Sequence, residues 1–428
     1  MASRDHHPLA QYPTAQTDLG WGAGAGPWDY RKVPEPTLSS LLAAVAKPNT
    51  IGSVDIIDFQ PQAEQSSEDL HIVQDWTLQN GTWKLLAVFD GHAGGETAKH
   101  IAATLPGQLQ SALVDALVRS EWKIDPISVS NLLSEAIISY DDSLMNDLYD
   151  LFPGGLEELE KLSDNEVKAV IHDSATDGPN HAKVARCMQG STALVSLVDP
   201  DRDNIWVASV GDCQAVLGVR VDPSTWRVST LSANHNATVP SEIEALRSAH
   251  PGESEVVLNN RVLGGIAVTR DTSAVGDHIF KVDKLWCSKV FMNAEQPFKF
   301  HSAKPETLIS RIYTPPYLSN KPDMQHVNLT QIKAFAGGEI TLILCSDGLV
   351  DLFDARDEPD LKKVAERWME LGSAANPGNP KDVYANGALR VLREGLGGKD
   401  EDRVAQLLTV EMSGKWLDDI TTLVYRLQ

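Results

Sequence analysis

Residues 85–95 read LLAVFDGHAGG, and this stretch carries the prediction of the fold. The apolar run predicts a strand over Trp83–Phe89 that ends directly at Asp90, Gly91 and His92. The small residues 93–95 then open a helical pattern. The sequence therefore predicts a strand that brings a carboxylate and an imidazole to one end, with glycine beside them.

An apolar strand with a carboxylate at one end recurs elsewhere in the chain. Ile340–Cys345 precedes Asp347-Gly348, Ile205–Val210 precedes Gly211-Asp212, and Ile420–Arg426 follows Asp418-Asp419. A lone Asp-Gly is typical of a tight turn, and Asp177-Gly178, in a polar stretch without a preceding strand, is interpreted as one. Four strand-end carboxylates that the fold brings together would repel one another unless a cation lay among them. No Lys or Arg accompanies them locally, so the pattern predicts a site for hard divalent cations, Mg²⁺ or Mn²⁺.

The rest of the pattern predicts an α+β protein. Further strands are expected at Thr192–Val198 and Ala215–Val219, and short turns between strands favour antiparallel pairing. Apolar residues at helical spacing from Leu132 to Leu148 predict a helix, as do the patterns of Pro359–Leu371 and Asp382–Leu396. We expect sheets packed together with helices outside them.

The domain organisation is expected to be simple. Residues 1–36 are interpreted as a flexible tail, because GWGAGAG at 20–26 follows no strand and lacks the spacing of a nucleotide loop. Residues 37–428 are expected to form a single domain. The polar stretches near 152–183 and 285–325 are interpreted as insertions in that domain.

Charge and cysteine content exclude several classes of function. The 59 acidic residues outnumber the 37 basic ones, a net charge of −22 that argues against binding nucleic acid or an anionic membrane. The four cysteines have no CxxC spacing, which favours a reducing intracellular compartment over a disulfide framework or a zinc site. No secretory signal, clear transit peptide or spanning segment is recognised, and cytosol and mitochondrial matrix both stay open.

Several stretches, in order over roughly residues 60–428, resemble the metal-dependent protein phosphatase family (type 2C, PPM). They are Glu68-Asp69, LLAVFDGHAGG (Leu85–Gly95), GSTALVSLV (Gly190–Val198), ASVGDCQAVLG (Ala208–Gly218), GIAVTR…GD (Gly265–Asp277), LILCSDGLVDLF (Leu342–Phe353) and DDITTLVYRL (Asp418–Leu427). Within the family, residues 233–236 (ANHN) and 314–318 (TPPYL) are similar to the mitochondrial pyruvate dehydrogenase phosphatase branch. That branch implies the E1 component as target and the mitochondrial matrix as address.

The resemblance implies a fold and a chemistry. The fold would be two antiparallel β-sheets packed as a central sandwich with helices on both outer faces. The activity would be hydrolysis of phosphoserine and phosphothreonine in protein substrates, with two Mg²⁺ or Mn²⁺ ions and a third, weaker one. Asp90 would bridge both metals, Gly91 would lend its carbonyl, and Asp347 and Asp418 would complete one site. Glu68 and Asp69 would bind the other metal or its waters, and Asp212 and Asp277 would match acidic positions of the weaker ion. His92 would be the general acid.

Two departures from the family pattern leave an alternative open. Glu64 stands where family members often carry an Arg that binds substrate phosphate, and Gln214 replaces the Arg of Gly-Asp-Ser-Arg. The alternative is a catalytically weak or inactive phosphatase-fold protein that acts as a regulatory binding module. The final Asp418-Asp419 also leaves open which of the two is the ligand. The oligomeric state is not indicated by the sequence.

Overall fold

The computed structural model describes residues 9–22, 24–62, 66–268, 275–296, 304–335, 338–355, 357–373 and 383–427. The predicted α+β class is confirmed, since these residues form α-helices and antiparallel sheets. The strands are β1 (Thr14–Thr17), β2 (Trp28–Arg31), β3 (Asn49–Ile51), β4 (Val54–Phe59), β5 (Leu70–Leu78), β6 (Gly81–Phe89), β7 (Gly91–His92), β8 (Gly190–Ser191), β9 (Ala193–Val198), β10 (Asn204–Val210), β11 (Gln214–Asp222), β12 (Thr225–Thr230), β13 (Val257–Leu258), β14 (Arg261–Val262), β15 (Val275–Gly276), β16 (Asp323–Asn328), β17 (Ile340–Cys345) and β18 (Ile420–Arg426). The helices are α1 (Thr37–Ala46), α2 (Glu96–Arg119), α3 (Pro126–Tyr149), α4 (Gly155–Lys161), α5 (Asp164–Ile171), α6 (Asn180–Met188), α7 (Pro240–Ala249), α8 (Lys284–Lys289), α9 (Pro305–Ser310), α10 (Leu329–Phe335), α11 (Asp347–Leu352), α12 (Glu358–Ser373), α13 (Gly387–Gly395) and α14 (Glu401–Thr409).

The chain divides into two compact units, and each has its own hydrophobic core. Unit 1 contains Met1–Ser67, Val216–Thr230 and Ala336–Gln428. Unit 2 contains Glu68–Ala215 and Leu231–Phe335.

Unit 2 is built on a five-stranded antiparallel sheet in the order β16-β10-β9-β6-β5. Alternate residues of β6, among them Leu85 and Phe89, join the apolar stripes of α2 and α3 in one core. The residues between them, Leu86 and Val88, are fully buried as well. The strand is therefore covered on both faces, as its apolar residues on both parities predict.

Unit 1 is built on a six-stranded sheet in the order β12-β11-β17-β18-β4-β3. The last strand of the chain, β18, lies between β17 and β4 and pairs antiparallel with both. Apolar side chains of α1, α12, α13 and α14 form one core with those of β4, β17 and β18. Helix α13 begins at Gly387, later than expected, because the Asn386 side chain caps it by accepting a hydrogen bond from the backbone N–H of Leu389.

The segment expected to be a flexible tail is folded over most of its described residues. Strands β1 and β2 pair antiparallel, and Leu19, Tyr30 and Val33 are buried in the core of unit 1. The hydroxyl of Tyr30 donates to Asp402 of α14 at 2.8 Å. The apolar residues that anchor this segment are isolated and follow neither the helical nor the strand periodicity. The sequence pattern therefore did not indicate that the segment is folded.

Both expected insertions contain secondary structure. Helices α4, α5 and the first turn of α6 lie in the first, and α8 and α9 lie in the second. All four cysteines are buried and free. Within the described ranges, no helix combines the length and the apolar character needed to cross a bilayer.

Candidate functional site

The paired ends of β5 and β6 place two predicted metal ligands on the same edge of the unit 2 sheet. The register pairs Leu70 with Phe89. Asp69, directly before β5, and Asp90, directly after β6, therefore lie at the same end of the hairpin. Asp69 is only 4% exposed, and burying a carboxylate is costly unless charge or hydrogen bonds compensate for it.

The residue after Asp90 has to be glycine. A Cβ atom on Gly91 would lie 2.7 Å from the carbonyl oxygen of Glu68 and 3.1 Å from the Cβ of Ala98. Real Cβ atoms essentially never approach backbone oxygen that closely. The absence of a side chain thus lets Gly91 pack against Glu68, and four predicted ligands, Glu68, Asp69, Asp90 and Gly91, come from this one edge.

Thr192 fixes the backbone of Asp90 from the neighbouring strand end. Its N–H donates to the Asp90 carbonyl at 2.9 Å, and its Oγ1 accepts from the Asp90 N–H at 3.0 Å. Oγ1 also lies 3.1 Å from the Sγ of Cys213. Burial, together with the negative charges of Asp90, Asp212 and Asp69, raises the pKa of the Cys213 thiol well above its ordinary value. This thiol is therefore protonated at neutral pH and is not a nucleophile.

His92 is brought to Asp277 by a small three-stranded sheet. In the order β15-β8-β7, His92 pairs with Gly190, and Gly190 pairs with Gly276, the residue before Asp277. The Nε2 of His92 lies 2.6 Å from Oδ2 of Asp277. The His92 side chain is 28% exposed, whereas that of Asp277 is fully buried. A partly accessible imidazole is thus held by a buried carboxylate that contacts its Nε2.

The charges around His92 favour its protonated form. Burial acts to lower the pKa of His92, but the charge and hydrogen bond of Asp277, with the charges of Asp212 and Glu68, outweigh it. The pKa of His92 is therefore raised above its ordinary value. A histidine in this state can donate a proton near neutral pH.

Gly190 provides the space that this pair occupies. A Cβ atom on Gly190 would lie 2.1 Å from Oδ2 of Asp277 and 2.2 Å from Nε2 of His92. Any other residue would push the two side chains apart. Gly190 opens the GSTALVSLV stretch, but nothing in the sequence alone indicated this role.

The predicted acidic residue Asp212 lies in a turn after β10. Gly211 has φ of +107°, and a Cβ there would meet Thr192 Cγ2 at 2.5 Å. Oδ2 of Asp212 accepts a hydrogen bond from the side chain of Asn236 at 2.8 Å. His235, which is fully buried, receives the Gly211 N–H on Nδ1 at 3.3 Å. His235 therefore holds the turn, and its Nε2 lies 2.9 Å from Oδ2 of Asp323.

In unit 1, the pairing of β17 and β18 positions the predicted ligand Asp347 and the pair Asp418-Asp419, of which Asp418 was the predicted ligand. Cys345 pairs with Thr422, and the N–H of Ser346 donates to the carbonyl of Thr421 at 3.1 Å. Asp347, directly after this pair, and Asp419, just before β18, thus lie at the same end of adjacent strands. A Cβ on the next residue, Gly348, would lie 2.3 Å from the Asp419 carbonyl oxygen.

The two consecutive aspartates before β18 differ in environment. The side chain of Asp418 is 51% exposed and pairs with the Nζ of Lys415. Asp419 is 4% exposed and accepts a hydrogen bond from Gln60, while its Oδ2 lies 3.7 Å from the same Nζ. Both carboxylates share one cation, Lys415, so the expectation that no Lys or Arg accompanies the strand-end carboxylates is wrong for this pair.

The donor chemistry fits the ions that the sequence predicts. The predicted ligands offer carboxylate oxygens and one carbonyl, a set that suits Mg²⁺ or Mn²⁺ rather than zinc. Among the described side chains, however, no group of three or more His, Cys, Asp or Glu is already close enough to hold a metal ion. The full ligand set stays a prediction.

The two departures from the family pattern have different outcomes. Glu64 lies outside the described residues. Gln214 is 2% exposed, and its side chain donates to the Asp212 carbonyl at 2.9 Å and accepts from Ser232 at 3.2 Å. It therefore stabilises the turn that presents Asp212.

Curated proteins with similar sequences are phosphatases. A protein phosphatase 2C homolog of Schizosaccharomyces pombe is 26% identical over 389 residues, which cover 85% of this chain and 78% of that protein. Human mitochondrial pyruvate dehydrogenase (acetyl-transferring) phosphatase 2 is 28% identical over 61% of this chain, a region that spans about half (51%) of the human protein. Human mitochondrial pyruvate dehydrogenase phosphatase 1 is 28% identical over 79% of this chain and 72% of its own length.

A family model matches the larger part of the chain. It is described as protein phosphatase 2C, and it covers residues 58–376. The matched range includes the β5–β6 edge, the His92 pair and Asp347, although Asp418 lies beyond it. On this match, the chain belongs to the protein phosphatase 2C family.

Proposed function

We propose that this protein hydrolyses phosphoserine and phosphothreonine esters of protein substrates in a reaction that depends on Mg²⁺ or Mn²⁺. The observation that carries the proposal is the contact between His92 and Asp277. His92 stands two residues after Asp90 in the sequence. A proton donor would then stand close in sequence to the predicted ligands Asp90 and Gly91. When bound, the divalent ions would polarise the attacking water and offset the charge of the phosphoryl oxygens.

The chain's own residues have separate parts in this reaction. Asp90, Gly91, Asp347 and Asp418 would hold two ions, with Glu68 and Asp69 binding one of them directly or through water, and Asp212 and Asp277 would serve a third, weaker ion. With Nε2 of His92 bonded to Asp277, Nδ1 is the ring nitrogen from which a proton can move. As water attacks phosphorus and the ester P–O bond breaks, that proton passes to the serine or threonine oxygen.

The relatives make the pyruvate dehydrogenase complex a candidate substrate. Two of the proteins described above are named as phosphatases of pyruvate dehydrogenase and as mitochondrial. We extend both properties to this chain as a proposal, with the phosphorylated E1 component as the substrate to test first.

The test is phosphate release from a phosphothreonine peptide by the full chain, with Mn²⁺, with Mg²⁺ and with EDTA. We expect turnover that requires a divalent ion, and a melting temperature that rises with millimolar Mn²⁺ because ligands stabilise the state that binds them. Asp90→Asn should abolish turnover without unfolding the protein. Asp177→Asn is the matched control, because Asp177 is also followed by glycine but lies exposed in a loop.

Folded protein that is silent with every metal would overturn the proposal. It would support the alternative of a phosphatase-fold binding module, and Glu64→Arg would then test whether the missing phosphate-binding cation is the cause.

A further inference from the structure

Asp141 of α3 is a buried carboxylate that gathers hydrogen bonds from a distant part of the chain. It is 2% exposed. Its Oδ1 accepts from the backbone N–H of Gly276 at 2.8 Å and lies 3.2 Å from Nε2 of His278. Its Oδ2 accepts from Lys281 Nζ at 2.8 Å and from Asn320 Nδ2 at 3.1 Å. Three of these four donors belong to residues 276–281, so Asp141 anchors that segment to α3.

The anchored segment has an unusual backbone at the residue that meets His92. Gly276 has φ of +83° and Asp277 has φ of +48°. Left-handed conformations are unfavourable for residues with a Cβ, so the surrounding contacts must hold this turn in place. The Asp277 N–H donates to the Gln189 carbonyl at 3.0 Å. The hydrogen bonds to Asp141 flank Asp277 on both sides in sequence.

Little freedom is left for the Asp277 side chain once its backbone is fixed. Gly190 lies against both Oδ2 of Asp277 and Nε2 of His92, at the distances at which any Cβ would clash. The Asp277 carboxylate is fully buried. The orientation of the His92 ring therefore depends on where the 276–281 segment places this carboxylate.

We propose that Asp141 is a positioning residue for His92: it holds residues 276–281 so that the Asp277 carboxylate stays against the imidazole. The consequence for catalysis rests on the proposed function, in which His92 protonates the leaving group. A purely structural role for Asp141 would affect stability alone, whereas a positioning role also changes the state of the His92 ring and the dependence on the leaving group.

The first test does not depend on activity. In protein labelled with ¹⁵N-histidine, the Nε2 proton of His92 should give an exchange-protected NMR signal, assigned by its loss in His92→Gln. We expect Asp141→Asn to weaken or abolish this signal. The matched control is Asp55→Asn, because Asp55 is also 2% exposed and accepts from a backbone N–H, that of Gly387, at 2.7 Å and from Arg426 at 2.6 Å, but lies in unit 1.

The second test uses aryl phosphates whose leaving groups differ in pKa. General acid catalysis matters most for poor leaving groups, and it contributes about 100-fold or more to rate. We expect Asp141→Asn to lose about tenfold more kcat on phenyl phosphate than on p-nitrophenyl phosphate, as a partial version of His92→Ala. Asp55→Asn should lower the melting temperature without changing this ratio.

The outcomes separate the two proposals. An intact Nε2 signal and an unchanged leaving-group ratio in folded Asp141→Asn would overturn the positioning role. The natural protein could also lack turnover with every metal while Asp141→Asn still loses the Nε2 signal. That result would support positioning and contradict the proposed function. Should Asp141→Asn fail to fold, Lys281→Met removes one donor from the same anchor and is expected to give smaller changes in the same direction.

Discussion

Thr192 and Asp90 are joined by two backbone-directed hydrogen bonds, one from the Thr192 N–H to the Asp90 carbonyl and one from the Asp90 N–H to Thr192 Oγ1. The second bond depends on a side chain that is 2% exposed. The position of a predicted bridging ligand thus depends on a hydroxyl 102 residues away in sequence.

Thr192→Val tests this bond, because valine keeps the shape and removes the hydroxyl. The Asp90 N–H would lose its partner, and we expect a free energy of unfolding lower by about 1–3 kcal/mol together with a lower kcat. Thr422→Val is the control, since the Thr422 hydroxyl is buried without a hydrogen-bond partner among the described residues. It should be neutral or stabilising in urea denaturation. Equal losses of stability in both variants would contradict a special role for the hydrogen bond between Thr192 and Asp90.

Gly190→Ala is expected to displace the His92 and Asp277 side chains. The added methyl group cannot fit beside them, and overpacking of this kind costs about 1–3 kcal/mol. Turnover of phosphopeptide should fall by at least about tenfold, in proportion to lost general acid catalysis. Gly107→Ala, in the middle of α2 with no atom within 4 Å of the new Cβ, should instead stabilise the protein. Full activity in Gly190→Ala would show that the pair tolerates separation.

Asp141 should contribute a pH-dependent part of the stability. Burial acts to raise its pKa, but Lys281 and His278 outweigh it, and the pKa of Asp141 lies below its ordinary value of 3.8. A carboxyl with a lowered pKa stabilises the fold above the unfolded value, and this contribution declines as the pH falls below that value. The stability difference between the natural protein and Asp141→Asn should therefore shrink as the pH falls below about 4. Urea unfolding at each pH measures it, and a constant difference down to pH 3 would contradict the prediction.

Lys415→Gln is expected to strengthen divalent metal binding. Lys415 competes for the carboxylates of Asp418 and Asp419, but the pair is partly exposed, so the gain should be below about 1 kcal/mol, or roughly fivefold in Kd. Isothermal titration with Mg²⁺ or Mn²⁺ measures it. Lys99→Gln, which breaks an exposed pair with Glu96, is the control. Weaker binding in Lys415→Gln would mean that the lysine supports the site instead.

The sequence predicted the elements whose signal is local. Strands β6, β10, β17 and β18 are confirmed with their aspartates at the expected ends, because an apolar run and the polar residue that terminates it lie next to each other in the chain. The helix predicted from Leu132 to Leu148 is confirmed within α3, because apolar residues at helical spacing are also a local signal.

Contacts between distant segments could not be predicted in this way. Asp141 has no local motif, and its donors stand 135 or more residues further along the chain. Gly190 and Thr192 contact residues of other strand ends that are distant in sequence. Tyr30 is bonded to a helix residue 372 positions away. In each case the partner is chosen by tertiary packing, which single-sequence periodicity does not contain.

The central place of β18 in the unit 1 sheet has a consequence for folding during synthesis. Gln60 and Asp419, which touch beside β18, are 359 residues apart in sequence. Strand β4 leaves the ribosome long before the strand that must pair with it, and its buried edge has to wait through the synthesis of all of unit 2. One edge of this apolar strand thus stays unpaired for most of translation, the period in which a chaperone would protect it best.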